Sequence, residues 1–368
     1  MTDTGLYIGL MSGTSLDGVD GVLARIDEKG NPRLLAHAEV TMPDALRAEL
    51  LALNSPCDNE LHRAAMASLE LTKLYNQAVD KLLAKTGLGA NTIQAIGAHG
   101  QTVRHRPELG YTLQLNAPAK LAETTGIAVV ADFRSRDVAA GGQGAPLVPA
   151  FHRAVFGSET QRVILNLGGI ANVTVLRPEA PVTGFDTGPA NLLMDAWCQS
   201  HTGAPFDRDG AWGGYGQVDE RLLESLMQSE PWFALAPPKS TGRDLFSQDW
   251  LDARLSQQNR SLSAQDVQAT LQALTVRSIV QALESQGLDN CEIFVCGGGA
   301  RNKALMGRLA ANWRGKIAPT DSLGVDAQAV ESLAFAWLAW AHLQKKTGNL
   351  KEVTGASGER ILGAYWPA

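Results

Sequence analysis

Short apolar runs alternate with longer helical patterns along this chain, and the alternation predicts an α/β fold. The chain opens with apolar, partly β-branched runs at 7–11 and 19–26. Between them stands Asp17-Gly18, a pair that tolerates the positive φ of a tight turn and predicts a hairpin. A second pattern of this kind, at 162–176, opens the second half of the chain. Two similar hairpins at this spacing predict a duplicated domain.

Periodic segments predict helices in the rest of the chain, and short apolar runs predict further strands. Glycines and a proline at 139–146 favour an interdomain hinge, because glycine supplies backbone freedom and proline ends it. We therefore expect a first domain at 1–140 and a second at 141–368, with a final helix that can pack back on the first domain. The predicted helices are 44–53, 61–86, 118–125, 303–313 and 333–343, and the predicted strands are 92–98, 127–131 and 292–296.

Composition and charge exclude several classes of protein. The formal net charge of −6 argues against a nucleic-acid binder that depends on a basic surface. No apolar run reaches the ~20 residues needed to cross a bilayer. The N-terminal residues lack the basic and apolar regions of a signal peptide, so we expect a cytoplasmic protein. The four cysteines form no C-x-x-C pair, and neither a zinc site nor a thioredoxin-type motif is indicated.

The turn of the first hairpin carries residues suited to phosphate binding. Hydroxyls and successive backbone N–H groups in a turn make an anion-binding concavity. Asp17 and Asp20 would repel a bare phosphate, but they suit one accompanied by Mg²⁺, held through water, because Mg²⁺ prefers carboxylates, waters and phosphate oxygens. A plain hairpin with turn-favouring residues explains the pattern equally well. The candidate phosphate ligands are Gly13, Thr14, Ser15, Leu16, Asp17, Gly18, Val19 and Asp20.

Two glycine-rich stretches in the second half allow a ligand to approach the backbone closely. In the second hairpin turn, glycine N–H groups can contact a phosphate, although a glycine-rich hairpin needs no ligand. The later run follows a strand and can accept a flat ring. It partly matches the dinucleotide fingerprint G-x-G-x-x-G, which fails at Asn302, so a dehydrogenase stays open as a weaker alternative. The candidates are Gly168 and Gly169 in the turn and Gly297, Gly298 and Gly299 in the later run.

Asp186 is the candidate catalytic residue. The segment around it predicts a strand that ends at Asp186, a tight turn, and a helix with Pro189 near its first position. Folds of the α/β class bind ligands at the carboxyl ends of strands. A carboxylate there can accept a proton from an attacking oxygen and orient the nucleophile for phosphoryl transfer. Helix capping by Asp186 is the alternative.

Seven motifs spread along the chain resemble those of the anhydro-N-acetylmuramic acid kinase family, a branch of the actin, heat-shock chaperone and hexokinase superfamily, and the resemblance covers essentially the whole chain. One departure from the superfamily is that Met11-Ser12 stand where many members have an aspartate. The motifs are MSGTSLDGVD (11–20), GAHGQTVRH (97–105), ADFRSRDVAAGGQGAPLVP (131–149), NLGGIANVT (166–174), GFDTGPAN (184–191), PKSTGRDLF (238–246) and VCGGGARN (295–302).

The resemblance implies two duplicated ribonuclease-H-like domains with an ATP cleft between them, Mg²⁺ as a second cofactor, and a homodimer. It also implies a kinase that opens the anhydro bridge of a sugar with water and phosphorylates O6, with Asp186 as the base. Arg134, or else Arg136, would bind the lactyl carboxylate of the sugar. His99 and Glu331 are the other candidate sugar ligands. Another sugar kinase and an actin-like ATPase of the same fold are the rival functions.

Overall fold

The elements of the computed structural model follow the predicted alternation of strands and helices. The structure describes residues 4–13, 16–237, 239–242 and 245–368. Thr14 and Ser15, two of the predicted phosphate ligands, lie outside the described residues, as do positions 1–3, 238, 243 and 244. The strands of the described part are β1 (Gly5–Met11), β2 (Gly18–Ile26), β3 (Pro32–Thr41), β4 (Ile93–Ala98), β5 (Gln101–Arg106), β6 (Tyr111–Leu115), β7 (Val129–Ala131), β8 (Arg162–Leu167), β9 (Ile170–Leu176), β10 (Thr183–Pro189), β11 (Glu292–Cys296), β12 (Ile317–Pro319) and β13 (Ala364–Trp366).

The helices of the described part include every predicted helix and several more. Six of the described helices, at 135–139, 148–156, 220–228, 248–256, 264–284 and 351–354, have no counterpart among the predictions. Because the helix Ala264–Glu284 is buried over most of its length, it lacks the polar stripe by which an amphipathic helix is recognised. The helices are α1 (Asp44–Ala52), α2 (Glu60–Thr86), α3 (Pro118–Thr125), α4 (Ser135–Ala139), α5 (Val148–Phe156), α6 (Asn191–Thr202), α7 (Glu220–Gln228), α8 (Gln248–Ser256), α9 (Ala264–Glu284), α10 (Lys303–Ala311), α11 (Val330–Leu343) and α12 (Lys351–Thr354).

The chain divides into two compact units, the first comprising Met1–Gly157 and Ala329–Ala368 and the second Ser158–Gln328. These bounds differ from the predicted domains 1–140 and 141–368. The last forty residues belong to the first unit because α11 packs against β1, β2 and β4. Among the described residues, no helix combines the length and apolar character needed to span a membrane.

The two units contain sheets of the same topology. The first sheet has the order β13-β7-β4-β1-β2-β3, in which β1, β2 and β3 are antiparallel and β1, β4 and β7 are parallel. The second has the order β10-β9-β8-β11-β12, with β8, β9 and β10 antiparallel and β8, β11 and β12 parallel. Apart from β13, the order and directions correspond strand for strand. The predicted class, an α/β fold with two duplicated ribonuclease-H-like domains, is confirmed.

Two glycines let α11 lie directly on the first sheet. Gly9 on β1 and Gly97 on β4 are neighbours in register. A Cβ at Gly9 would lie 1.9 Å from the Ser332 carbonyl oxygen, and one at Gly97 would lie 2.0 Å from the Phe335 carbonyl oxygen. No larger residue fits between sheet and helix at these points. This contact fixes the first turn of α11, which carries Glu331.

Candidate active site

Asp186 lies inside β10 rather than at its end. The strand continues to Pro189, with a register shift against β9 between Asp186 and Gly188, and α6 begins at Asn191. The predicted tight turn, with Pro189 near the first position of the helix, is therefore wrong. The irregularity at Gly188 (φ 148°) lets the strand continue, and β10 is an edge strand, where proline is tolerated.

The main chain of a distant loop holds the Asp186 carboxylate. The backbone N–H of Thr241 donates to Asp186 Oδ2 at 2.9 Å. The Asp186 N–H in turn donates to the Lys239 carbonyl oxygen at 3.1 Å. Burial raises the pKa of Asp186 to about 6, against the opposing effects of the Thr241 hydrogen bond and the Lys239 charge. A carboxyl group with this pKa is largely ionised at neutral pH yet basic enough to accept a proton, which suits a general base.

The side chain of Lys239, whose charge acts on this carboxylate, is held by Trp232 and Phe233. Its Nζ donates to the carbonyl oxygen of Phe233 at 3.0 Å and lies 4.4 Å from the centroid of the Trp232 ring. Burial lowers the pKa of Lys239, whereas the charge of Asp186 raises it. Neither Lys239 nor Thr241 was among the predicted site residues. The sequence signal for both was the motif at 238–246, which carries no chemistry recognisable from its spacing alone.

Internal packing explains two of the five candidate glycines of the second unit. Gly297 has a φ of 82°, and a Cβ there would lie 2.3 Å from Asn166 Oδ1. A Cβ at Gly299 would lie 2.6 Å from the Leu167 Cβ. Both positions therefore require glycine whether or not a ligand binds.

The other three candidate glycines could carry a Cβ without a steric clash. A Cβ at Gly168, Gly169 or Gly298 would meet no atom closer than 3.6, 3.8 and 3.7 Å, respectively. The carbonyls of Gly168 and Gly169 accept hydrogen bonds from the N–H groups of Asn191 and Ala190, which ties the turn to the start of α6. The absence of side chains at these positions suits the close approach of a phosphate or a ring to the backbone.

Of the described residues of the first hairpin turn, Leu16, Gly18 and Val19 can offer a ligand only backbone groups. The side chains of Leu16 and Val19 are buried in the core, so only their main-chain atoms could contact a ligand. The Leu16 N–H donates to the Gly13 carbonyl oxygen at 3.3 Å, and Leu16 has a φ of 56°. Gly18 is required by packing, because a Cβ there would lie 2.5 Å from the Val40 carbonyl oxygen.

Asp20 lies in a small group of possible metal ligands. Ligand atoms of Asp20, His37 and Glu39 lie within 4.8 Å of one another, and Asp20 Oδ1 lies 3.3 Å from His37 Nε2. Asp17 is exposed and stands outside this group. Carboxylate oxygens are the donors that Mg²⁺ prefers, and 47% of the Asp20 side chain is exposed, so an ion could reach it. The metal-binding role predicted for Asp17 and Asp20 stays a prediction.

In the first unit, the structure brings His99 and Arg134 together. They follow β4 and β7, which are parallel neighbours, so their positions meet at one edge of the sheet. His99 Nε2 accepts hydrogen bonds from Arg134 Nη2 at 2.9 Å and Nε at 3.2 Å, and Arg134 Nη1 donates to the Gly144 carbonyl oxygen at 2.8 Å. Burial lowers the pKa of His99 to about 3, so the ring is neutral and can accept these bonds.

Glu331 lies within electrostatic range of Arg134. Burial lowers the pKa of Arg134 to about 10, while the charges of Glu331 and Asp137 raise it. Two of the predicted sugar ligands, His99 and Arg134, are thus in contact, and the third, Glu331, acts electrostatically on Arg134. Arg136, the alternative arginine, is exposed.

The glycine-rich segment at 139–146 lies within the first unit and not where the units divide. Asp137 is fully buried and accepts hydrogen bonds from the Gly144 N–H (2.7 Å), Asn349 Nδ2 (2.6 Å) and Thr354 Oγ1 (2.8 Å). The hinge predicted there is instead a segment held to the C-terminal residues of the chain.

Two sheets of one topology, each opened by a hairpin with a glycine-containing turn, define a duplicated fold of the actin and hexokinase type. The model of the anhydro-N-acetylmuramic acid kinase family matches residues 5–368. The anhydro-N-acetylmuramic acid kinase of Bordetella pertussis is 60% identical over 364 residues, which cover 99% of this chain and 96% of that protein. The enzyme of the same name from Chromobacterium violaceum is 51% identical over 369 residues and 100% of both chains. This chain therefore belongs to the anhydro-N-acetylmuramic acid kinase family, and the resemblance and enzyme class predicted from its motifs are confirmed.

Proposed function

We propose that this chain opens the anhydro bridge of 1,6-anhydro-N-acetylmuramic acid with water and transfers the γ-phosphoryl group of ATP to O6. The products are N-acetylmuramic acid 6-phosphate and ADP, and the reaction serves cell-wall recycling. Family membership over residues 5–368 supports this activity and the use of ATP.

In the proposed reaction Asp186 is the general base. It takes a proton from the water that attacks C1, the C1–O6 bond breaks, and O6 accepts the phosphoryl group while ADP leaves. Ordinary glycoside hydrolysis needs a second carboxyl group to protonate the departing oxygen. Here the phosphoryl group takes the place of that proton, so one base suffices. The supporting observation is a carboxyl group with its pKa near 6, held in one orientation by the Thr241 N–H.

The candidate nucleotide ligands keep the roles predicted for them. We assign phosphate contacts to the open glycines of the second hairpin turn and to the main chain of the first turn, and adenosine contacts to the later glycine run. Asp17 and Asp20 would hold Mg²⁺, which neutralises charge on the transferred phosphoryl group when bound. Backbone N–H groups preorganised around a phosphoryl group stabilise charge that develops in the transition state.

For the sugar, we assign the lactyl carboxylate to Arg134. The neutral His99 accepts two of the Arg134 N–H groups and so fixes the plane of the guanidinium. A planar fork held in this way suits a carboxylate, which can accept two parallel hydrogen bonds. Glu331 would accept a hydrogen bond from a sugar hydroxyl group.

Mass spectrometry of the reaction in ¹⁸O water tests both halves of the proposal. The protein is incubated with ATP, Mg²⁺ and 1,6-anhydro-N-acetylmuramic acid. We expect one ¹⁸O atom at the anomeric hydroxyl and one phosphate on O6. Label on the phosphate, or phosphorylation with the anhydro bridge intact, would contradict the coupled reaction.

Two further expectations from the sequence remain part of the proposal. Use of ATP favours a cytoplasmic location. The homodimer expected from the family resemblance is tested by the mass of the protein in solution, for example by light scattering.

A further inference from the structure

The loop that carries Lys239 is anchored independently of Asp186. Trp232 Nε1 donates to the Ser240 carbonyl oxygen at 3.0 Å, and the Trp232 and Phe246 rings pack edge to face. The Lys239 ammonium is held against the Trp232 ring and the Phe233 carbonyl oxygen. Within the described part of the chain, the position of this positive charge is therefore set by an aromatic cluster and by main-chain groups.

This anchored loop meets Asp186 on two sides. The Lys239 carbonyl oxygen accepts from the Asp186 N–H, and the Thr241 N–H donates to the Asp186 carboxylate. The Lys239 ammonium acts on that carboxylate across a distance, since the two form no direct ion pair. On the neighbouring elements, Asn172 opposite Asp186 on β9 and Ser278 on α9 beside Gly188 are uncharged. The charge of Lys239 lowers the pKa of Asp186, against the larger effect of burial.

We propose that Lys239 is a positioning residue for the base: its anchored ammonium keeps the Asp186 carboxylate ionised at the pH of the reaction without contacting the substrate. The inference rests on the proposed role of Asp186. It explains why a lysine that burial disfavours as a cation stands beside a carboxylate that burial disfavours as an anion. Each charge reduces the desolvation cost of the other. Without Lys239, the Asp186 carboxylate would be protonated more readily.

The test is the pH dependence of kcat/KM, which reports the pKa of essential groups in the free enzyme. Lys239→Gln removes the charge but keeps N–H donors for the Phe233 carbonyl. The acid limb of the profile should move to higher pH, and kcat/KM at pH 6 should fall roughly threefold to tenfold relative to the plateau, because each pKa unit is a tenfold change in the ionised fraction. Lys239→Arg keeps the charge and should restore the limb.

Lys346→Met is the matched control. The Lys346 ammonium also lies over an indole, 4.5 Å from the Trp340 centroid, and donates to a backbone carbonyl, but it belongs to the first unit. Its removal should leave the profile unchanged. If Lys239→Gln does not fold, Lys239→Met provides a second neutral side chain that packs against Trp232.

The outcomes separate this inference from the proposed function. If a folded Lys239→Gln or Lys239→Met variant loses rate equally at all pH values and its acid limb stays where it is in the parent protein, Lys239 has only a structural role. Full turnover in Asp186→Asn would instead overturn the base assignment itself. An inactive Asp186→Asn with an unmoved limb in Lys239→Gln would reject the role of Lys239 alone.

Discussion

Replacing Asp186 by asparagine should inactivate the protein and at the same time make its fold more stable above pH 6. The two side chains have nearly the same shape, and an asparagine oxygen can still accept from the Thr241 N–H. What changes is the charge. Burial raises the pKa of Asp186 from 3.8 to about 6, so the folded state binds this proton more tightly than the unfolded chain does.

The sign and size of the effect follow from proton linkage. The contribution of Asp186 to stability is fully present below pH 3.8 and is lost as the pH rises through about 6. At about 1.4 kcal/mol per pKa unit, the whole loss amounts to about 3 kcal/mol, and the partial exposure of the side chain reduces it to roughly 1–3 kcal/mol. Asparagine does not ionise and avoids this loss.

Thermal unfolding at pH 4 and pH 8, together with turnover, measures both consequences. At pH 8 the variant should unfold roughly 2–12 °C above the parent protein, taking about 2–4 °C per kcal/mol for a unit of this size. At pH 4 the parent carboxyl group is largely protonated in the folded state, and the difference should nearly disappear. Turnover should fall by about 10²–10⁴, the usual contribution of a general base.

Asp27→Asn is a control of opposite sign. Hydrogen bonds from the Asn31 side chain and from backbone N–H groups lower the pKa of Asp27, so its carboxylate stabilises the fold at neutral pH. That variant should lose stability at pH 8. If Asp186→Asn is destabilised at pH 8, or if its gain is equal at pH 4 and pH 8, burial is not the cause of the raised pKa and the reasoning fails.

Three more substitutions test the rest of the site. Gly97→Val places side-chain atoms against the Phe335 carbonyl and should lower the free energy of unfolding by about 1–3 kcal/mol or more in denaturant titrations; an unchanged midpoint would contradict the close contact with α11. His99→Phe removes the acceptor for Arg134 and should raise the KM for the sugar more than it lowers kcat, whereas a normal KM would argue against His99 as the support of Arg134. Gly298→Ala should keep the thermal stability but raise the KM for ATP, and unaltered ATP kinetics would remove Gly298 from the nucleotide site.

The features that could be predicted from the sequence depend on residues that are close together along the chain. The apolar runs on either side of Asp17-Gly18 were enough to predict two strands joined by a turn, although the positive φ falls at Leu16 and Gly18 already belongs to β2. A second strand–turn–strand pattern at 162–176 was enough to predict a duplicated fold. His99 and Arg134 each follow a predicted strand. That these strands are parallel neighbours was not readable from the sequence, and the contact between the two side chains depends on it.

The environment of Asp186 could not be predicted, because it depends on residues far away in the chain. Thr241 supplies the hydrogen bond from 55 positions further on. The segment next to Asp186 was also misleading: Pro189 favours the start of a helix, but the irregularity at Gly188 keeps the chain in the sheet. Local preference was overridden there by strand pairing with β9.

The glycines illustrate why a motif alone does not define a site. In the sequence, Gly297, Gly298 and Gly299 form one run and invite one explanation. In the structure, the outer two are required by contacts with Asn166 and Leu167, and only the middle one has space beside it. Requirement by packing would keep glycine at the outer positions even in a protein that bound no nucleotide. Packing does not require glycine at Gly298, because the fold would accept a methyl group there. Gly298 is therefore the position in this run at which a bound ligand could be the reason for glycine.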